Sequence, residues 1–432
     1  MIFDPDAESA PRSELKALQS ERLSAVTRYV YERVPFYESL LDEVRVRPEA
    51  IRSVEDIARL PITRKESLRD NYPFGLFAVS RDEVKRVHAS SGTTGKPTVV
   101  GYTKADIELF ARVNARCLAM GGAEPSMMLH NAYGYGLFTG GLGLHYGAEL
   151  LGMNVVPVSG GMTERQVTLI QDFRPDVICC TPSYALTLAQ EFESRGISPG
   201  DLSLRFGLVG AEPWTESMRA GIDEGLGIRV TNIYGLSEII GPGVSTECVE
   251  ARSGSHINED HFLPEVVDPE LGEPLDEGEE GVLLFTTLTK RALPLLRYWT
   301  GDITSLNYDK CECGRTLVRM GLIKGRTDDM LIIRGVNVYP TEIEAVLGTI
   351  EELSQHYRLV VTREGTLDEL TVEAEFAVSV SDPMREELKA RVADRIKDSL
   401  GVTATVSLLP PDSVPRSEGG KLNRVEDRRA LD

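Results

Sequence analysis

Between about residues 154 and 235 the sequence alternates short apolar runs with helical periodicity, and this rhythm limits the architectures open to the chain. The run 155–158 is followed by a helical spacing through Val167, Ile170 and Phe173, then by the apolar run 177–180. A helical segment after Tyr184, the run 204–210, a helix around Met218 and Ile222, and a last strand ending at Tyr234-Gly235 continue the pattern. Repeated strand–helix units of this kind build a doubly wound, mostly parallel sheet, so the expected class is α/β.

Beyond about residue 260 the style becomes strand-rich. Residues 281–287, Gly-Val-Leu-Leu-Phe-Thr-Thr, read as a buried strand between acidic or glycine-bearing turns. The last hundred residues differ again. A helix is expected after Pro340 (Ile343, Val346, Leu347, Ile350), then an alternating strand over 370–376. A second helix follows, with Met384, Leu388, Val392, Ile396 and Leu400 on one face and Pro383 and Gly401 as its punctuation, and then a strand over 402–408. The expected organisation is a large N-terminal domain, 1–325, with a β-rich subdomain at about 260–325. A hinge at 326–330 joins it to a small, mobile α+β domain, 331–432.

A chain of 432 residues is long enough for more than one core, and its 41% hydrophobic and 26% charged residues are those of a globular protein. Its apolar runs fall far short of the roughly 20 residues that span a bilayer. The start, Met-Ile-Phe-Asp-Pro-Asp-Ala-Glu, has neither a basic region nor an apolar one, so a cytoplasmic location is expected. A net charge of -20 argues against nucleic acid or an anionic membrane as the main partner. Six cysteines do not make a disulfide framework, and Cys179 and Cys180 fall in an apolar, strand-like run.

The sharpest local signal is Ser90-Ser-Gly-Thr-Thr-Gly-Lys-Pro97, followed by an expected strand over 98–102. Glycines let backbone amides approach an anion and hydroxyls add donors, so Ser90, Ser91, Gly92, Thr93, Thr94, Gly95 and Lys96 read as a phosphate loop. It is not the loop of the P-loop NTPases, because Lys96 precedes Pro97 and the glycine spacing is shorter. Tyr234-Gly-Leu-Ser-Glu238 sits at the carboxyl end of an expected parallel strand, where open α/β sheets bind ligands.

With Trp299-Thr-Gly-Asp302, Gly325-Arg-Thr-Asp-Asp329, the run 334–344 and Gly419-Gly-Lys421, these motifs resemble, in order, those of the adenylate-forming superfamily. More narrowly, the run 131–143, Gly210-Ala-Glu-Pro-Trp214, Gly241-Pro-Gly243 and Glu259-Asp-His-Phe262 resemble the phenylacetate-CoA ligase family. The resemblance implies that the phosphate loop grips ATP, that Glu238 holds Mg²⁺ and that Ser237 reaches the α-phosphate. It places Ala211, Glu212, Pro213 and Tyr234 around the adenine and Asp302 with Arg326 at the ribose. Lys421 is implied to bridge the substrate carboxylate and the α-phosphate. Asp328 is implied as the hinge about which the C-terminal domain turns, and Gly335 as part of a thiol tunnel for coenzyme A.

An acid pocket is implied from Tyr135, Gly136, Phe138, Gly210, Ile239 and Pro242, with aromatic walls that suit a flat ring. Ser245, Thr246, His256 and Asn258 stand where more apolar residues are expected in the family. Hydroxyl and amide groups there would suit a ring bearing hydroxyl or amino substituents, an acid of secondary metabolism. Cys311-Glu-Cys313 with Cys248 and His256 could supply four ligands to a structural zinc, against free thiols in a turn. The expected activity is ATP-dependent formation of an acyl-AMP from phenylacetate or a substituted benzoate, then transfer to coenzyme A as a thioester. The alternatives are an aryl-acid ligase delivering a hydroxybenzoate or hydroxyanthranilate to a carrier protein or another nucleophile, and a non-catalytic nucleotide-binding protein. The resemblance also hints at a homodimer.

Overall fold

The computed structural model describes residues 1–90, 97–334, 336–364, 367–377, 382–417 and 422–429. Its central feature is a nine-stranded sheet. The strands Asn154–Val156, Met128–Asn131, Val177–Cys180, Phe206–Gly210 and Arg229–Leu236 run parallel in that spatial order. The alternation from 154 to 235 accounts for four of these strands, while Met128–Asn131 precedes it. The sheet then reverses direction at Gly241–Glu247 and continues antiparallel through Ser255–Ile257, Arg319–Met320 and Leu306–Asn307. The periodicity did not reveal that second half, because three of its four strands are two or three residues long and Ser255–Ile257 finds Arg319–Met320 across some sixty residues.

Alternation along the central strands covers both faces. Val177 and Cys179 enter a core with Ala115, Leu118 and Leu144, from the helices Lys104–Met120 and Gly140–Leu151. Ile178 and Cys180 enter the opposite core with Val167, Leu188 and Ile222, from Thr163–Phe173, Pro182–Ser194 and Glu216–Leu226. A strand's period of two sends neighbours to opposite faces, so an unbroken apolar run means a sheet covered on both sides. Pro182 and Thr181 start the Pro182–Ser194 helix ahead of Tyr184, the position its spacing marked.

A second, four-stranded antiparallel sheet joins Phe262–Val267, Gly281–Thr287, Tyr298–Thr304 and Gly325–Arg326. Arg86–Ser90 and Thr98–Tyr102 form a hairpin whose connection contains the glycine-rich loop. From Leu331 onward a separate apolar core gathers Ile333, Ile343, Leu359, Val372, Val392 and Ile396. It packs under a sheet ordered Thr405–Leu409, Leu367–Phe376, Leu353–Glu364, Val425–Asp427. The last helix spans Asp382–Leu400, and Gly401 turns the chain out of it at φ +68°. Among the described residues no helix is long and apolar enough to cross a membrane.

The N-terminal segment is fastened by buried charge. Glu8 receives Arg315 Nε at 2.6 Å, and the two side chains are 0% and 1% exposed. The same carboxylate accepts the backbone N–H groups of Phe3 and Asp4 at 3.0 and 2.7 Å. Removing one partner strands the other charge away from water. Glu8→Ala is expected to destabilise the N-terminal unit by about 3–5 kcal/mol, read as a lower urea midpoint, whereas an unchanged midpoint would show that Arg315 finds water instead.

Candidate active site

The groups that can do chemistry gather at the carboxyl ends of the parallel strands, the crevice where open α/β sheets bind ligands. Tyr234, near the end of Arg229–Leu236, donates its hydroxyl to Asp302 Oδ2 at 2.5 Å, and Arg326 Nη1 donates to Asp302 Oδ1 at 2.6 Å. Arg326 reaches onward to Asp328, Nε to Oδ1 at 2.8 Å, and to the Thr300 carbonyl at 3.0 Å. Thus Tyr234, Asp302, Arg326 and Asp328, read separately from the sequence, form one network. Burial pushes the Asp302 carboxyl up and Arg326 opposes it. Burial would also raise Asp328, but its bond to Arg326 leaves it below the usual carboxylate range.

Ser237 and Glu238 occupy the turn after that strand. Ser237 Oγ lies 3.3 Å from Thr139 Oγ1, at the start of the Gly140–Leu151 helix, whose positive dipole end favours an anion. The Glu238 carboxylate is buried and accepts the Tyr298 hydroxyl at 3.3 Å. Beneath it lies a residue the motif reading missed: Lys290, 1% exposed, donates to the Glu238 carbonyl at 3.0 Å and faces the Tyr102 ring at 5.2 Å. Burial pushes its ammonium down to about 8. Tyr102 donates to the Ile240 carbonyl at 2.8 Å, so two buried side chains grip the backbone that presents Glu238 and Ile239. Between Thr289 and Arg291, Lys290 carries no local sequence signal of burial.

Ala211 follows Phe206–Gly210 at φ +73°, in the left-handed region that a non-glycine residue rarely adopts. Glu212, next to Pro213, accepts the N–H of Ser183 at 2.7 Å with Oε1 and that of Leu422 at 3.3 Å with Oε2. Gly210 supplies close strand packing, since a Cβ there would fall 1.9 Å from the Ile233 carbonyl oxygen.

The acid-pocket residues are placed unequally. The Tyr135 hydroxyl accepts from Asn131 Nδ2 at 2.7 Å and lies 3.2 Å from His145 Nδ1, while a Cβ at Gly136 would meet open space. Ile239 is wholly buried, Pro242 pairs with Gly235 across the sheet, and Phe138 is 53% exposed. Ser90 pairs with Thr98 in the hairpin. Ser91, Gly92, Thr93, Thr94, Gly95, Lys96, Gly335 and Lys421 lie outside the described residues.

The polar residues expected to greet a substituted ring are already engaged elsewhere, which corrects that expectation. Ser245 donates to Met320 Sδ at 3.3 Å and Thr246 to the Asn232 carbonyl at 3.0 Å. Asn258 donates to the Gly243 carbonyl at 2.8 Å and accepts from Arg116 at 3.2 Å. His256 belongs to the cysteine cluster. Their hydrogen bonds stabilise the antiparallel half of the sheet rather than a ligand.

Cys248, His256, Cys311 and Cys313 do come together, with their potential ligand atoms all within 4.8 Å of one another. Cys248 Sγ lies 3.7 Å from Cys311 Sγ, and Cys313 Sγ 3.4 Å from His256 Nε2. His256 Nδ1 faces the Leu317 carbonyl at 3.3 Å, which turns Nε2 toward the thiols. Hydrogen bonding from Cys248 and His256 holds the Cys313 thiol far below its ordinary range. The cluster begins one residue past Gly241–Glu247, whose other end meets Leu236. At about 3.3 Å per residue that strand separates cluster and crevice by roughly 20 Å, too far to touch a reacting group.

The C-terminal unit rests on the helices Pro182–Ser194 and Glu216–Leu226. Gln355 donates to the Ser217 carbonyl at 2.9 Å, and Gln190 donates to His356 Nε2 at 3.1 Å.

A family model described as AMP-binding enzyme matches residues 10–288, and one described as AMP-binding enzyme C-terminal domain matches residues 335–429. A phenylacetate-coenzyme A ligase of Thermus thermophilus is 66% identical, over 99% of this chain and 100% of that protein. One from Escherichia coli is 50% identical, over 99% of this chain and 98% of that protein. Among solved structures, a 2-hydroxyisobutyryl-CoA ligase in the postadenylation state, in complex with R3-HIB-AMP, is similar with a TM-score of 0.92 at 30% identity, over 98% of this chain and 91% of that one. The same ligase in the thioesterification state, with 2-HIB-AMP and CoA, gives 0.74 at 31% identity, over 98% and 92%.

The contact at His356 carries a pH dependence. Burial, with Arg416 and Arg424 nearby and against the pull of Glu375 and Asp412, lowers this imidazole from 6.5 to about 4. The unfolded chain therefore takes up a proton between about pH 6.5 and pH 4 that the folded protein refuses, so this contribution is full above that window and is lost as pH falls through it. His356→Gln is expected to shrink the drop in melting temperature between about pH 7 and pH 5. Calorimetry of both proteins checks this, and equal drops would refute it.

Proposed function

This chain belongs to the phenylacetate-coenzyme A ligase family of AMP-binding enzymes, and on that footing we propose that it activates phenylacetate with ATP and delivers the acyl group to coenzyme A. The observation that carries this reading is the near-full-length likeness to phenylacetate-coenzyme A ligases, which runs through the crevice built by Tyr234, Ser237, Glu238, Asp302 and Arg326. In the first half-reaction a carboxylate oxygen of the acid attacks the α-phosphorus, pyrophosphate leaves, and an acyl-adenylate remains. In the second the thiol sulfur of coenzyme A attacks the acyl carbon and AMP leaves, the thiol proton passing to solvent.

The first step brings negative groups together, so it needs donors and cations placed beforehand. We assign the phosphate grip to Ser90 and the loop 91–96, and contact with the α-phosphate to Ser237. The backbone of Ala211, Glu212 and Pro213, with the Tyr234 ring, flanks the adenine in this reading, and Asp302 accepts from the ribose hydroxyls while Arg326 opposes the upward push of burial on its carboxyl. The buried Glu238 carboxylate, an oxygen donor beside the phosphate site, fits Mg²⁺, which when bound supplies positive charge against the phosphates. Lys421 serves adenylation, Asp328 is the hinge between units at 1–325 and 331–432, and Gly335 belongs to the thiol passage. Tyr135, Gly136, Phe138, Gly210, Ile239 and Pro242 form the acid-binding region. The internal pairing of Ser245, Thr246 and Asn258 supports an unsubstituted ring, and a carrier-protein acceptor is not favoured.

The reading is tested by pyrophosphate release with phenylacetate, benzoate, salicylate and 3-hydroxyanthranilate, each with and without coenzyme A. Phenylacetate is expected to give the highest rate, with sustained turnover only when the thiol is present. Preference for a hydroxylated acid, with acyl-AMP accumulating in the presence of coenzyme A, would replace it with a biosynthetic adenylating enzyme.

The cysteine cluster fits a structural zinc. A tetrahedral site with metal–sulfur bonds of about 2.3 Å has sulfur–sulfur edges of about 3.8 Å, close to the 3.7 Å between Cys248 and Cys311. Held by Cys248, His256, Cys311 and Cys313, zinc would clamp the far end of the sheet and take no part in the reaction. Elemental analysis is expected to find about one zinc per chain, reduced in Cys311→Ser together with thermal stability. A metal-free protein of full stability would refute the assignment.

A further inference from the structure

The Glu212 carboxylate spans the two units of the chain, one oxygen on each. Oε1 accepts the N–H of Ser183, in the first turn of Pro182–Ser194, a helix whose N-cap residue Thr181 makes no side-chain capping bond. A carboxylate in that place satisfies an orphan donor and meets the positive end of the helix, so this oxygen is firmly anchored to the body. Oε2 accepts the N–H of Leu422, the residue that follows Lys421 in sequence. Glu212 itself follows the left-handed Ala211, a backbone arrangement that fixes where the strap after Phe206–Gly210 leads.

Nearby, Arg424 Nη2 approaches Glu344 Oε1 at 3.5 Å and its guanidinium faces the Tyr357 ring at 4.6 Å, so the strand that Leu422 leads into is anchored within the C-terminal unit. The Glu212–Leu422 bond therefore joins two fixed points. It also belongs to one arrangement of the units: the chain resembles the postadenylation form of the solved ligase at a TM-score of 0.92 and the thioesterification form at 0.74.

We propose that Glu212 is a positioning residue for the adenylation half-reaction, its carboxylate latching the backbone beside Lys421 to the body and releasing it when the C-terminal unit turns for thioester formation. The proposal rests on the function given above and adds to the backbone contact with adenine a separate task for the side chain. It explains why an acid stands here: two N–H donors approach two oxygens, and only a carboxylate accepts both.

Glu212→Gln keeps the shape but turns an amide N–H₂ toward one of the two donors, so one bond is lost. Two rates are compared in wild type and variant: single-turnover pyrophosphate release from ATP and phenylacetate, and thioester formation from supplied phenylacetyl-adenylate and coenzyme A. The ratio of the first to the second is expected to fall by about tenfold or more, the factor that 1.4 kcal/mol represents. Amide exchange at Leu422 is expected to quicken in the same variant. Equal loss in both half-reactions would reduce Glu212 to a nucleotide or folding contact and overturn the latch, as would an unchanged ratio. Unchanged exchange at Leu422 would overturn it whichever acid the enzyme takes. If wild type makes no phenylacetyl-adenylate, the assigned substrate falls while the exchange measurement still decides the latch.

Discussion

A carboxylate without water needs partners, and Asp302 finds two, one in each of two sheets. Tyr234 comes from the nine-stranded sheet, Arg326 from the edge of the four-stranded sheet, and through Arg326 the network reaches Asp328 at the threshold of the C-terminal unit. Leaving such a group unpaired would cost several kcal/mol, so the two sheets must keep their relative places for the fold to tolerate it. The same demand places a buried carboxyl group beside Tyr234 and Arg326 in the crevice. In the proposed reading, structure and chemistry draw on the same oxygen atoms.

Much of this was legible because it depends on local pattern. The Thr98–Tyr102 and Gly281–Thr287 strands begin and end where their apolar runs do, and the parallel strands follow the alternation from residue 154 to 235. Tyr234, Asp302 and Arg326 could each be singled out because they lie in motifs of recognisable order, but the bonds that join Tyr234 to Asp302 and Asp302 to Arg326 were not legible there. Lys290 could not, since a lysine buried under a turn announces itself only through the carbonyl and ring that receive it. Nor does a sequence say with whom a polar side chain will pair. Ser245, Thr246 and Asn258 read as ligand contacts by position, yet their partners are a thioether sulfur and backbone carbonyls of neighbouring strands.

The antiparallel half of the large sheet was hidden for a related reason. Strands of two or three residues carry too little periodicity to be read, and Ser255–Ile257 meets Arg319–Met320 only after some sixty intervening residues. That half adds Val244, Ile257, Val318 and Met320 to the apolar core, and polar contacts tie it further: the Arg219–Glu247 pair, with Nη1 at 2.9 Å and Nη2 at 3.0 Å, the Arg116–Asp260 pair, and the four cysteine and histidine side chains. In the sequence these contacts are scattered charges, no different in kind from solvated ones.

Among the described residues, the hydrophobic cluster of the C-terminal unit draws on none before Leu331. The two apolar cores therefore stay separate at the joint, and what crosses it includes exchangeable hydrogen bonds. A lineage can retune the packing of the smaller unit, and with it the timing of the catalytic cycle, without repacking the walls that choose the acid. Selectivity and tempo are in that sense separately heritable, and a graft between relatives need match little more than the seam.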